Sequence, residues 1–461
     1  MFLKKGEENV QRLYSGADLK KLVIPLMIEQ VMLSLMGTVD TIMVSNVSEA
    51  AVSGVSLVDS INKLVIYLFA SIATGGTILC SQYLGCKDKE RADESARQVL
   101  MCALFLALIV MGIFLICRKG LLSLIFGSVE QSVMDASEIY FLITLFSYPF
   151  ISVFNAGSAL FRASGNSRLP MMVSALSNVM NIIGNAILLF VVKMGAAGAA
   201  LSTTLSVAAS AIAIVAFLRR PGQIIDIGPI TKMRPNIRKI LWVLRVGVPT
   251  GVENSMFQLG KLVVQSTVAL LGTAAIASHA IIIALELISS TAPMGMYIAL
   301  ITVAGTCIGA GRVDEAKFFI KKFTGWAVIV QLVLTWAIFA LTLPICHMAG
   351  LSEEATEMTF DIMLMISIIK PAVWPFAFVP SNGMRAAGDG TFSMITASLS
   401  MWIVRVGLTT VLCRHFGFGL TGIWLGYIGD WCVRAVINIL RFRSGKWTKH
   451  KVMETDTGKN F

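Results

Sequence analysis

The feature of this sequence that most limits its possible folds is a series of long apolar runs separated by short polar breaks. The runs cover residues 20–45, 51–82, 96–117, 137–160, 168–192, 197–217, 241–270, 275–306, 320–344, 359–381, 392–413 and 418–440. A transmembrane helix needs roughly 20 apolar residues, and the runs lack the period-two alternation of barrel strands. The mean hydropathy of +0.77 and the low share of charged residues, 14%, are also typical of a membrane protein. The sequence predicts an all-α polytopic membrane protein of about 12 transmembrane helices.

The basic residues that give the net charge of +11 collect in the tails and in alternate connections. This distribution is typical of cytoplasmic segments in membrane proteins and gives no reason to expect a nucleic-acid partner. We therefore expect both termini to be cytoplasmic. The predicted division is a cytoplasmic tail 1–19, an N-terminal six-helix bundle 20–217, a cytoplasmic linker 218–240, a C-terminal six-helix bundle 241–440 and a basic cytoplasmic tail 441–461.

The two halves of the sequence repeat each other at an almost constant spacing. Pro25 and Glu29 recur as Pro249 and Glu253, the segment 85–92 recurs as 309–316, and FRASG around Arg162 recurs as MRAAG around Arg385. Six spans per repeat is an even number, so the repeat is parallel and its axis lies along the membrane normal. The sequence predicts two six-helix bundles related by a pseudo-twofold axis and facing a central cavity.

Two carboxylates lie in the first span. Glu29 and Asp40 are eleven residues apart, which returns to within about 20° of the same helix face. An ionisable group at mid-membrane costs roughly 2.5–3.5 kcal/mol, so each invites a functional hypothesis. Burial favours the protonated form of a carboxylate, and Asp40 is therefore a candidate to exchange a proton or bind a small cation. The alternative for both residues is a structural carboxylate hydrogen-bonded to another helix.

Amide side chains in the fifth span could complete such a site. Asn181 and Asn185 are one turn apart on one helix face, after Asn178. Their carbonyl oxygens suit a hard monovalent cation, although amides also join helices in membranes. Thr203 in the sixth span could add a hydroxyl group.

The second half offers secondary candidates. Glu253 occupies the repeat position of Glu29, and Glu286 is one of several further in-span charges, some of which should pair with each other. Asp59 and Lys63 form an i, i+4 pair that we interpret as structural. Three prolines, at 371, 375 and 380, are expected to interrupt the tenth span.

Motifs for enzymatic chemistry are missing from the sequence. It has no P-loop, no GxSxG and no HExxH, and its four histidines and eight cysteines show no metal-ligand spacing. We expect neither enzymatic activity nor a cofactor or metal, and the energy for transport would come from an ion gradient.

Several motifs together resemble those of the MATE (multidrug and toxic compound extrusion) transporters over nearly the whole chain. They are IPLMIEQ with GTVDTIMVS, EAAVSGVSL, the paired RASG and RAAGD, NIIGNAILL, GAAGAALSTT, and GVPTGVEN with GTAAIASHA. The resemblance implies H⁺- or Na⁺-coupled antiport that exports small amphipathic or cationic compounds from a bacterial plasma (inner) membrane. It also implies a protein that contacts membrane lipid and functions as a monomer. A flippase for lipid-linked precursors, from the same superfamily, is the alternative.

The resemblance also implies a coupling site. In the DinF-like branch, which we favour, the matching positions are Asp40, Asn181, Asn185 and Thr203. Asn185 departs from the pattern, because that branch often has Asp there. The other bacterial branch uses a Glu in span seven and an Asp in span ten. Glu253 lies near but not at the first position, and span ten has no acid between Asp361 and Asp389.

Overall fold

The computed structural model describes residues 12–46, 49–127, 129–220, 222–229 and 234–450. Parts of the predicted tails and linker, namely 1–11, 221, 230–233 and 451–461, lie outside the described residues. Helices make up nearly all of the described chain, which contains no strand.

The first half begins where Ser15 caps the first helix. Its hydroxyl oxygen accepts a hydrogen bond of 3.2 Å from the backbone N–H of Asp18, whose carboxylate accepts one of 3.0 Å from the backbone N–H of Ser15. The helices of this half are α1 (Gly16–Ser45), α2 (Glu49–Gly85), α3 (Lys89–Phe126), α4 (Gln131–Leu145), α5 (Tyr148–Ala163), α6 (Arg168–Asn185) with a π-helical continuation (Ala186–Val191), and α7 (Ala196–Leu218).

The second half repeats this order. Its helices are α8 (Ile237–Val268), α9 (Thr273–Gly309), α10 (Val313–Ala340), the short α11 (Thr342–Met348), α12 (Glu353–Ala386), α13 (Gly390–Leu399) with a π-helical segment (Ser400–Val406) and α14 (Gly407–Arg414), and α15 (Gly419–Ser444). The ends of α2 and α9 fall on Gly85 and Gly309, which are the first residues of the repeated segments 85–92 and 309–316. The helix ends therefore follow the same repeat as the sequence.

Twelve membrane crossings account for these helices. Among the described residues, ten helices are long and apolar enough to cross a membrane, and the bent pair α4–α5 forms an eleventh candidate. The 32-residue α8 supplies the twelfth: it is less apolar because it carries Arg245, Glu253 and Lys261, but it packs along α2 and α13. The predicted all-α architecture of two six-helix bundles is confirmed.

Proline has opposite effects in the two equivalent spans. The predicted span 137–160 is broken between α4 and α5, which bend by 47° at Phe146 and Ser147. Pro149, at the start of α5, has no N–H for the preceding turn. The expected interruption of the tenth span was wrong, because α12 is continuous through Pro371, Pro375 and Pro380. It is packed by α9, α10 and α15, and neighbouring helices allow a membrane helix to tolerate proline.

The two halves share a core at one end of the molecule. At this end, which we call the terminal end, α1 begins and α15 ends. Leu22 and Leu26 of α1 lie in one apolar cluster with Ile78 of α2, Leu300 of α9 and Phe323 of α10. The halves also exchange helix contacts, because α1 packs on α9 and α8 packs on α2.

At the opposite end, which we call the loop end, each half has its own core. The first half buries Val58, Phe141 and Tyr148 together, and the second half buries Met363 and Trp424 in a separate cluster. A single core at one end and two cores at the other leave a cleft between the halves that opens toward the loop end.

Candidate functional site

The four residues predicted to form the coupling site lie together in the first half. Asn185 of α6 donates a hydrogen bond of 2.8 Å from Nδ2 to Oδ1 of Asp40 on α1. The same Nδ2 donates to Oδ1 of Asn181 at 3.0 Å, and Nδ2 of Asn181 donates to Oγ1 of Thr203 on α7, also at 3.0 Å. One chain of side-chain hydrogen bonds thus joins three helices.

Burial differs along this chain. Asn181 and Asn185 are 5% and 1% exposed, whereas Asp40 is only half-buried. The Oδ1 atom of Asn185 is buried without a hydrogen-bond partner. A buried acceptor without a donor is costly, so this oxygen is available to a cation or a proton donor at the site.

A second carboxylate lies close to Asp40. Asp59 of α2 is near enough to act on Asp40 electrostatically, and it accepts a hydrogen bond of 3.1 Å from the hydroxyl of Tyr140 on α4. The sequence interpretation paired Asp59 with Lys63 because both lie on one helix, and it therefore missed the approach to α1. The signal that could have found it is that both carboxylates sit at the loop end of adjacent helices.

Glu29 and Glu253 form equivalent ion pairs in the two halves. Glu29 Oε1 lies 2.6 Å from Nη2 of Arg162, and Glu253 Oε2 lies 2.5 Å from Nη2 of Arg385. The arginines belong to the repeated RASG and RAAGD motifs, so the repeat extends to the pairing itself. Glutamates and arginines recurring at matched offsets were the sequence signal for these pairs.

Glu286, the third secondary candidate, is bound to a lysine. Its Oε1 lies 2.7 Å from Nζ of Lys370 on α12. The Lys370 side chain is fully buried and also donates to the hydroxyls of Ser289 and Ser290, at 2.6 and 2.7 Å. Each N–H group of the Lys370 ammonium therefore has a hydrogen-bond acceptor.

A buried triad lies beside this pair. Asp430 of α15 accepts hydrogen bonds from Nη2 of Arg405 at 2.5 Å and from Nε of Arg434 at 2.8 Å, and also from the Ser400 hydroxyl at 2.5 Å. The charged carbon of Arg405 lies 4.2 Å from the ring centroid of Tyr427. Among the described residues, no group of three or more His, Cys, Asp or Glu side chains could hold a metal ion.

A twofold helical repeat around a polar cleft, with carboxylates inside the membrane, is the architecture of a secondary transporter. The model of the MatE family matches the chain twice, over residues 25–187 and 249–411. The two matches begin at the repeated prolines, Pro25 and Pro249, and are therefore in register with the sequence repeat. The chain belongs to the MATE family of multi-pass membrane transporters.

Relatives and solved structures agree with this family. The chain is 28% identical over 453 residues to the probable multidrug resistance protein NorM of Thermotoga maritima, covering 95% of this chain and 94% of NorM. It is 27% identical over 458 residues to the uncharacterized transporter YisQ of Bacillus subtilis, covering 96% of each.

Two solved structures share the fold. An outward-facing multidrug resistance MATE family transporter superposes with a TM-score of 0.87 at 21% identity, over 94% of this chain and 96% of that one. A MOP superfamily transporter from Pyrococcus furiosus, described as having a binding pocket of reverse polarity, gives 0.86 at 22% identity, over 93% and 95%. At these identities the likeness concerns the fold alone.

Proposed function

We propose that this protein is an H⁺- or Na⁺-coupled antiporter that exports small amphipathic organic compounds by alternating access. The observation that carries the proposal is the hydrogen-bonded chain from Asp40 through Asn185 and Asn181 to Thr203. It combines a carboxylate, two amides and a hydroxyl group beside a cleft. The names of the relatives favour drug export over the flippase alternative.

Coupling at this site would depend on the charge of Asp40. In the arrangement described, the carboxylate accepts from Asn185. Protonation would remove its charge, and a bound Na⁺ would compensate it with help from amide and hydroxyl oxygens. For Na⁺, the Asn185 amide would turn its unpartnered Oδ1 toward the ion. Transport requires that the ion and the exported compound favour different conformations, because a ligand with equal affinity for both shifts nothing.

The shared core at the terminal end supports an alternating-access cycle. With the termini cytoplasmic, as the basic tails favour, the cleft in this conformation would open to the outside. Export would then require the terminal-end contacts to part while the loop end closes.

We propose that the chain is divided into a cytoplasmic tail 1–19, a bundle 20–217, a linker 218–240, a second bundle 241–440 and a basic tail 441–461. We also propose that a monomer in the bacterial inner membrane is sufficient for transport.

Transport in proteoliposomes tests this function. The purified protein should move a fluorescent amphipathic compound only when a pH or Na⁺ gradient is imposed, and the two gradients applied separately should identify the ion. Equal transport without either gradient would contradict the proposal.

A further inference from the structure

The two halves of the cleft carry opposite charge. In the first half, Asp59 lies within electrostatic range of Asp40, and Lys63 is one turn beyond Asp59 on the same helix. In the second half, four basic side chains accompany two acidic ones: Lys261, Lys370, Arg405 and Arg434 with Glu286 and Asp430. The interior of the second half is therefore basic.

The carboxylates of Glu286 and Asp430 are both already bound by basic side chains. Glu286 is bound by Lys370 and by the Ser290 hydroxyl, at 2.7 and 2.9 Å. Asp430 is shared by two arginines. Within the described part of the chain, Lys261 has no carboxylate at ion-pairing distance. The positive charge of Lys261 is therefore left for an anion to bind.

Lys261 lies in the cleft between the halves. It is exposed, yet it is within electrostatic range of Glu286 on α9, of Arg405 and of Lys63 on α2. Because Lys63 belongs to the first half and Glu286 and Arg405 to the second, the ammonium group lies within range of both halves. The charged groups of Lys261 and Arg405 each lie 4.8 Å from the ring centroid of Phe257. The Phe257 ring thus lies beside Lys261, where it could contact the apolar part of a ligand whose anionic group binds the ammonium group.

We propose that the second half of the cleft binds an anionic group, a carboxylate or a phosphate, of the amphipathic substrate, with Lys261 as the contacting residue. This proposal rests on the transport function proposed above and narrows its substrate class to amphipathic anions and zwitterions. In a zwitterion, the cationic group would point toward the carboxylates of the first half. Lysine provides three donors and a compact charge for such a group.

Binding of a matched ligand pair tests the proposal. A fluorescent amphipathic carboxylic acid and its methyl ester are titrated into the protein in phosphatidylcholine nanodiscs, without any gradient. The acid should bind more tightly than the ester. Lys261→Gln should weaken binding of the acid about tenfold, the value of one charge-assisted hydrogen bond, and leave the ester unchanged.

Two variants control this experiment. Lys261→Arg keeps the charge and should keep the preference for the acid. Lys20→Gln removes an exposed lysine at the terminal end and should change neither ligand. Equal affinities for acid and ester in the unchanged protein, or equal weakening of both by Lys261→Gln, would overturn the proposal.

Competition identifies the source of the anion. Displacement of the acid by phosphatidylglycerol in the nanodisc supports an anion site filled by a lipid headgroup, and displacement by a soluble organic phosphate supports one filled from water. Displacement by neither contradicts the site. Because no gradient is present, failure here leaves gradient-driven transport intact, whereas loss of transport with a normal acid preference would contradict only the coupling mechanism.

Discussion

Asn185 on α6 donates a hydrogen bond of 2.8 Å to Asp40 on α1, across 145 residues of sequence. The contact fixes the carboxylate of one helix to the amide chain of another. Any change in the charge of Asp40 therefore alters what α6 is bound to, which is the physical requirement for an ion to influence helix packing.

The first prediction concerns Asp40 itself. Asp40→Asn removes the charge that a proton or Na⁺ would neutralise, and it should abolish gradient-driven export while membrane insertion and folding remain normal. Dye efflux from proteoliposomes under an imposed gradient measures this. Asp314→Asn, at a carboxylate that is 95% exposed, is the matched control. Normal export by Asp40→Asn, with loss of export by Glu253→Gln, would move the coupling site to the second half.

The second prediction concerns the identity of the ion. Asn185→Asp adds a second carboxylate beside Asp40, and it should increase the dependence of export on Na⁺ because the site gains a negative ligand. Asn178→Asp, two turns earlier on the same helix, should not. Asn181→Ala should weaken export by less than Asp40→Asn, since the carboxylate remains. Export is measured as a function of Na⁺ at constant pH, and an unchanged Na⁺ response in Asn185→Asp would exclude Na⁺ binding at this position.

The sequence predicted the fold because the apolar runs and the repeat carry that information. The four residues named for the coupling site do lie in one hydrogen-bonded chain, and their role in coupling stays a prediction. Apolar runs locate the helices, and the nearly constant offset between matching segments relates the halves. The contact of Asp40 with Asn185 came from family resemblance, since periodicity alone shows which residues share a helix face. It does not show which helix lies opposite.

The same limit explains what the sequence analysis missed. Asp59 does interact with Lys63, its neighbour on the helix, but the sequence did not show that it also lies within electrostatic range of Asp40. The three prolines of α12 suggested an interrupted span, whereas the packing of α9, α10 and α15 around the helix keeps it continuous. Tertiary packing decides both outcomes, and a local pattern does not contain it.

The third prediction separates stability from coupling at Glu29. Its side chain is 2% exposed and that of Arg162 is 17% exposed. Glu29→Gln leaves the arginine charge buried and unpaired, which should cost about 3–5 kcal/mol and lower the thermal unfolding temperature. Glu29→Gln combined with Arg162→Gln should recover part of the loss.

The control for the Glu29–Arg162 pair is an ion pair that is more exposed. Glu138 and Lys119 are 3.8 Å apart, with side chains that are 33% and 71% exposed, and Glu138→Gln should have almost no effect on unfolding. Lost export by Glu29→Gln at an unchanged unfolding temperature would contradict the structural role and support Glu29 as a coupling residue.

The fourth prediction concerns orientation in the membrane. Arg238→Cys in the linker region should react with a membrane-impermeant maleimide only from the cytoplasmic side, and Lys193→Cys at the loop end only from outside. The exposed Cys86 and Cys117 are first replaced by serine. Labelling of Arg238→Cys by the impermeant reagent in intact cells would contradict the proposed orientation and indicate the opposite one.

The last prediction concerns the contact that closes the terminal end. A methyl group at Gly309 on α9 would overlap the backbone carbonyl of Gln82 on α2, and the Gln82 amide donates across the interface to the backbone oxygen of Ala386 at 2.7 Å. Backbone cannot move aside as a flexible side chain can. Gly309→Ala should therefore destabilise the closed terminal end by about 1–3 kcal/mol and shift the protein toward conformations in which the halves part there.

Spin labels at the exposed Lys87 and the half-buried Lys317, which lie on opposite halves at the terminal end, measure this shift as a longer inter-label distance. Gly112→Ala on α3 is the control, because a methyl group there meets no atom within 4 Å, and its distances should match those of the unchanged protein. If Gly309→Ala inserts and folds but the distance distribution stays the same, the α2–α9 contact does not hold the terminal end closed. If the distance distribution does shift, export should also slow, because each return to the conformation with a closed terminal end must then overcome the added strain.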